Sequence, residues 1–173
     1  MCNNIEKKLD MISSYYYDRT IKHINLVKKY GEKINKDFSN HDIDKLTDKD
    51  LIIWYAFLTW KQANITFIYP FDKKLIDKAT FKHIKNNYHH PEYWDDSVID
   101  FVRDNDGLDN KITDASKMPN SAIYEMCADW CAMSEELNEN TPFDWADKTI
   151  NKRWKFTNNQ INKIYKTLNT MWN

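Results

Sequence analysis

Apolar positions recur along this chain at helical spacing. The face begun by Ile5, Leu9, Ile12 and Tyr16 continues through Arg19 and His23 to Leu26, an i, i+3, i+4 series. It predicts a first helix from about Asn4 to about Tyr30, capped near Gly31, with His23 on or beside the buried face. A shorter helical piece is expected over Glu32 to Lys45, carrying a His-Asp pair near its end. Thr47-Asp48-Lys49-Asp50 reads as a capping box opening the apolar helix Leu51 to Ala63. Phe71 to about His89 is a third amphipathic stretch, and Pro91 disfavours helical geometry at His90, so the helix ends there or just before. Asp95 to Lys117 reads as a loop region turning at Asn105-Asp106-Gly107. Met118-Pro119 opens a further helix to about Leu137, and two more fit Phe143 to Trp154 and Asn158 to Met171. No internal repeat or long linker divides the chain, so the pattern predicts one all-α domain over its 173 residues.

Composition narrows the chemistry. Seven Trp, eight Phe and ten Tyr supply a core. With only two glycines, Gly31 and Gly107, the chain has neither a Walker loop nor a dinucleotide-binding turn, because both need glycine where backbone meets phosphate. Any phosphate must be met by side chains or a metal. A net charge of −1 gives no global field for nucleic acid or membrane. Met1 to Asp18 lacks the apolar run of a signal peptide, and no segment approaches a bilayer span. Cys2, Cys127 and Cys131 form no paired metal spacing and no even disulfide set. A cytoplasmic protein is the expectation. The lysines of 73–85 are interleaved with Asp72 and Asp77 and read as a solvated helix face.

The histidines change the picture. There are five: His23, His41 followed by Asp42, His83, and the adjacent pair His89 and His90. Asp129 lies downstream on an amphipathic stretch. Imidazole and carboxylate are the ligands that hold first-row divalent metals. Adjacent His and Asp converge on one metal only where the backbone lets neighbours meet, such as a helix end. A metal held by His23, His41, Asp42 and Asp129 would lower the pKa of bound water from ~15.7 towards ~7. On a continuous helix His83 and His90 would stand about 10.5 Å apart along the axis at ~1.5 Å per residue. That is too far for one metal with ~2.1 Å bonds. Either they serve different metals or roles, or the helix breaks near Pro91 and His90 folds back. Lys45 could neutralise a phosphate oxygen, and Glu125, four residues before Asp129, could orient a liganding His or act as general base.

The order His…His-Asp…Lys…His…His-His…Asp resembles the HD superfamily of metal-dependent phosphohydrolases. The segment His41-Asp42-Ile43-Asp44-Lys45 is similar to the HDxGK pentapeptide of its cyclic-dinucleotide phosphodiesterase branch. Asp44 stands where a small residue is expected before the lysine. The gap from His83 to His89 is short for that branch, and no GYP tripeptide follows the pair. The segments from His89 to Trp94, Met118-Pro119, and Glu125 to Trp130 also resemble a small uncharacterised domain family of bacteria and phages. The HD resemblance implies a helical bundle binding one or two divalent metals through His23, His41, Asp42 and Asp129. It implies a phosphate contact at Lys45, and makes His83, His89 and His90 candidates for a second metal or for substrate. The expected activity is hydrolysis of a small-molecule phosphoester, nucleotides foremost. Two rivals stand beside it: an HD-type di-iron oxygenase, and a non-catalytic phage or host interaction module with a polar core.

Overall fold

The first amphipathic stretch folds as one long helix, α1 (Cys2–Glu32), and the helices that follow pack against it or against its neighbours. The computed structural model describes residues 2–63, 72–100 and 112–173, with side chains from Glu6 onward. Among the described residues the other helices are α2 (Asp44–Thr47), α3 (Lys49–Gln62), α4 (Lys73–Asn86), α5 (Asn120–Leu137), α6 (Pro142–Thr149) and α7 (Asn158–Trp172). A 3-10 turn, Pro91–Trp94, follows α4. The protein is an all-α helical bundle. No helix among these residues is long and apolar enough to cross a membrane.

Local chemistry explains most boundaries. Asp72 caps α4 by accepting from the backbone N–H groups of Lys74 and Leu75. Thr141 and Thr157 open α6 and α7 with capping boxes completed by Asp144 and Gln160. Asn138, at φ 52°, ends α5 in the left-handed conformation that Asn tolerates. His90 is extended, as the residue before Pro91 must be.

Several expectations are corrected. Gly31 lies inside α1 rather than beyond it, and its requirement is space. A Cβ there would sit 2.6 Å from Phe38 Cδ2 and 2.8 Å from the Lys36 carbonyl. The reversal after α1 is made by Asn35 at φ 57°. Residues 33–43 form turns, not a helix, because the chain doubles back to seat Phe38 against Gly31. Asp48, not Thr47, caps α3, accepting from the Asp50 and Leu51 N–H groups. The stretch before Pro91 leaves helix at Asn86. Trp154 is not at the end of α6 but in β2 (Trp154–Lys155), which pairs in parallel with β1 (Thr113–Asp114). That pairing ties down the end of the expected Asp95–Lys117 loop. Gln160 secures the following segment, its Nε2 donating to the carbonyls of Ala115, Ser116 and Met118. The Asn105-Asp106-Gly107 turn and the expected helix start at Phe71 lie outside the described residues.

Burial divides into two apolar clusters. One joins Ile12 and Tyr16 of α1 to α3 and α4 through Leu51, Tyr55 and Ile76. The other joins Val27 and Tyr30 of α1 to α5, α6 and α7 through Ile123, Met126, Ala146 and Leu168. His23 falls on α1 between those two sets, at the seam. The candidate histidines gather at that seam.

Candidate metal centre

The site begins with a backbone turn. His41 N–H donates to the Phe38 carbonyl at 3.0 Å, and Lys45 N–H to the Asp42 carbonyl at 2.9 Å. Asp42 between them has φ 54°. The left-handed conformation costs most residues roughly 1–2 kcal/mol and Asp or Asn least. It turns the two neighbouring side chains towards each other, leaving His41 Nε2 3.5 Å from Asp42 Oδ2. Both side chains are buried. The convergence expected of a helix end is achieved here by one strained residue.

Asp42 then faces two groups. On one side stand His41, His23 of α1 and Asp129 of α5, with His23 Nε2 3.0 Å and His41 Nε2 3.8 Å from Asp129 Oδ1. On the other stand His83 and His89, whose Nε2 atoms lie 3.3 Å and 3.5 Å from Asp42 Oδ1. His90 Nε2 lies 3.1 Å from His83 Nε2. The helix thus breaks at Asn86 and the chain folds back, which removes the 10.5 Å separation a continuous helix would impose. The structure brings together all seven residues expected as ligands: His23, His41, Asp42, His83, His89, His90 and Asp129.

The imidazoles share one orientation. Nε2 of His23, His41, His83 and His89 points at the carboxylates of Asp42 or Asp129, while Nδ1 points away towards a second acid. His41 Nδ1 is 2.9 Å and His89 Nδ1 3.4 Å from the same Glu125 oxygen. His83 Nδ1 is 2.8 Å from Asp44 Oδ2, and His23 Nδ1 is 3.4 Å from Glu136 Oε2. At His41 and His83 the carboxylate accepts from Nδ1–H and fixes the tautomer whose Nε2 lone pair faces inward, the arrangement by which ligating histidines are held, whereas buried His23 Nδ1 has no hydrogen-bond partner. Within that tautomer pattern His90 Nε2–H donates to His83 Nε2.

Burial opposes charge on every group here, and pairing decides the outcome. For Asp42, the neighbouring His41, Lys45 and His83 overcome burial and hold the carboxyl well below its ordinary range. Asp129 is lowered to about 2 because its hydrogen bond and charge pairing with His23 outweigh desolvation. Glu125 is lowered likewise by His41 and His89. Burial disfavours protonated His23, yet Asp129 and Glu136 raise it to about 9. His41 and His90 move down, burial leading and the neighbouring His89 adding to it. Lys45 moves up despite burial because Nζ sits 2.6 Å from Asp42 Oδ2.

Two observations fit these residues to holding a metal ion. Buried His41 Nε2 and Asp42 Oδ1 have no hydrogen-bond partner, and each such orphan costs about 1–3 kcal/mol. Two donors ~2.1 Å from one metal, at angles of about 90–110°, lie roughly 3.0–3.4 Å apart. The separations of 3.1, 3.3 and 3.5 Å around His83 and Asp42 match that edge within a few tenths of an ångström. Lys45 and Asp129 are the openings, their side chains 21% and 19% exposed.

Glu125, expected either behind a liganding His or as a base, lies behind the rings of His41 and His89 on their Nδ1 side. Three residues of the site escaped the sequence reading: Asp44, Asn87 and Glu136. Glu136 had a signal, since it follows Asp129 by two helical turns on α5. Arg19, read as part of the helical face of α1, pairs with it at 2.5 Å. Asp44 stood out only as the residue occupying a small-residue position.

Comparison with known proteins adds family membership. No curated protein and no solved structure matches the chain. One family model does, over residues 12–170, a span that takes in every ligand candidate and five of the seven helices in full. The chain belongs to that family, described as a family of unknown function (DUF5662).

Proposed function

We propose that this protein is an HD-type, metal-dependent phosphohydrolase, acting in the cytoplasm on a small phosphoester of the nucleotide class. The observation that carries the reading is Asp42, whose two oxygens face separate histidine groups with Nε2 atoms turned inward. His23, His41 and Asp129 would hold one divalent metal, joined by Asp42 beside His41, and Asp42, His83, His89 and His90 would hold a second. When bound, such a pair supplies Lewis acidity and a nucleophile from water at neutral pH.

The chain's own residues supply the rest. Asp42, with one oxygen facing His41 and the other facing His83 and His89, would serve both positions. Lys45 keeps its charge beside Asp42 and, partly exposed, can meet a phosphate oxygen as a point charge. Its Nζ also lies 5.1 Å from the Tyr55 ring centroid, which restricts where the ammonium can move. Glu125 is a positioning residue: it holds the tautomers of His41 and His89 and does not face the reacting side.

The test is to load the protein with manganese(II) and screen nucleotides and generic phosphodiesters. Chelator-sensitive hydrolysis is the expected result, and a fully loaded protein that turns over none of them contradicts it. A second reading draws on the same carboxylate shared between two histidine-rich positions, a donor set that also suits a di-iron centre for oxygen chemistry. Iron co-purifying with a mixed-valent magnetic-resonance signal, without hydrolysis, would favour that reading.

A further inference from the structure

From the geometry we infer that Asp44 and Asn87 form a clamp that positions His83, and thereby controls the second metal position separately from the first. This rests on the two-metal reading above. Asp44 Oδ2 accepts from His83 Nδ1 at 2.8 Å and from Asn87 Nδ2 at 2.7 Å. Its other oxygen accepts from the Lys45 backbone N–H at 3.0 Å, so the carboxylate is fixed at the first turn of α2. Asn87, immediately after α4, donates to the His83 carbonyl through both its backbone N–H and its side chain, at 3.1 and 2.8 Å. Ring and backbone of His83 are therefore gripped together.

The placement has two effects. First, the Asp44 carboxylate demands Nδ1–H on His83, leaving the Nε2 lone pair for a metal and making it a stronger donor. Second, the clamp sets where α4 stops and where the chain departs to deliver His89 and His90. A small residue at position 44 could do neither. The first metal position does not depend on this carboxylate: His23 has Glu136 behind it, and His41 has Glu125. Asp44 and Glu136 are thus private to one position each, while Glu125 serves His41 of one and His89 of the other.

The experiment is a calorimetric titration of metal-free protein with manganese(II), for wild type, Asp44→Asn and Asp44→Ala, with helicity followed by circular dichroism. Two binding steps are expected for wild type. In Asp44→Ala the first keeps its affinity and the second weakens by about 10–100-fold, with Asp44→Asn between them because its carbonyl still accepts from His83. Adding Asp44→Ala to His83→Ala changes the second step no further than His83→Ala alone. Equal weakening of both steps, or two unchanged steps in Asp44→Ala, overturns the inference. No binding by wild type sinks the two-metal reading instead, so the two failures are distinguishable.

Discussion

His41 donates through Nδ1 to Glu125 at 2.9 Å, across 84 residues of sequence and between a turn and the second turn of α5. The same Glu125 oxygen lies 3.4 Å from His89 Nδ1. Replacing it with Gln puts an amide where a charged acceptor serves two rings. Glu125→Gln is expected to weaken metal binding at both positions by about 10–100-fold with unchanged helicity. Metal titration monitored beside circular dichroism checks this, and selective loss at one position would contradict it.

Asp42 combines a ligand role with a left-handed backbone, so the choice of substitution matters. Asp42→Ala would mix lost ligation with backbone strain of roughly 1–2 kcal/mol. Asp42→Asn keeps the tolerated conformation and removes the charge that the two proposed metal positions would share. Metal content and hydrolysis are expected to fall to background while the thermal transition remains cooperative. Retained stoichiometric metal in Asp42→Asn would argue against its bridging position.

Much of this site was legible in the sequence, for definite reasons. The His-Asp and His-His-Pro groups are rare side chains in tight clusters, and their chemistry survives any error in the surrounding elements. The helical face through Tyr16 and His23 placed His23 correctly, because one period governs all of α1. What stayed hidden depends on contacts that no local pattern encodes. Residues 33–43 have helix-compatible composition, but packing of Phe38 against Gly31 overrides it. Trp154 reads as a helix residue until its indole N–H finds Glu92 at 2.8 Å and its backbone finds β1. Asp44 and Asn87 are common polar residues whose roles appear only once α2 and α4 meet.

On the proposed function, replacing Lys45 would separate binding from turnover. Lys45→Met keeps the aliphatic stem but removes the charge that sits near Asp42 and the Tyr55 ring. Metal content should match wild type while kcat falls by about 10²–10³-fold, the scale of losing one electrostatic stabiliser. Unchanged kcat in a metal-replete variant would remove Lys45 from the reaction.

On the proposed function, metal uptake at His23 would displace a proton. His23 is raised from the ordinary 6.5 to about 9 by Asp129 and Glu136, so at pH 7 metal-free protein carries that proton. Affinity at the His23 position should therefore rise about tenfold per pH unit up to about 9 and then level off. The metal-free fold shows the converse. Stabilisation from charged His23 is fully present below 6.5 and is lost as pH rises through about 9. Affinity independent of pH between 7 and 9 would contradict the assignment of His23 as a ligand.

Gly31 links the fold to the site. A Cβ at 31 would press on Phe38, whose carbonyl anchors the His41 N–H. Gly31→Ala is expected to cost about 1–3 kcal/mol, lowering Tm by roughly 3–10 °C. A Tm equal to wild type would show that the turn can relax without disturbing Phe38.

The central claim is that Asp42 stands between two metal ions. Elemental analysis of protein purified without an affinity tag, handled anaerobically, tests it most directly. The account predicts about two equivalents of first-row divalent metal per chain, falling to background in Asp42→Asn. A wild-type protein that carries no metal, takes none up and gains no thermal stability from manganese, iron or zinc would leave the cluster a hydrogen-bonded polar core and contradict the claim.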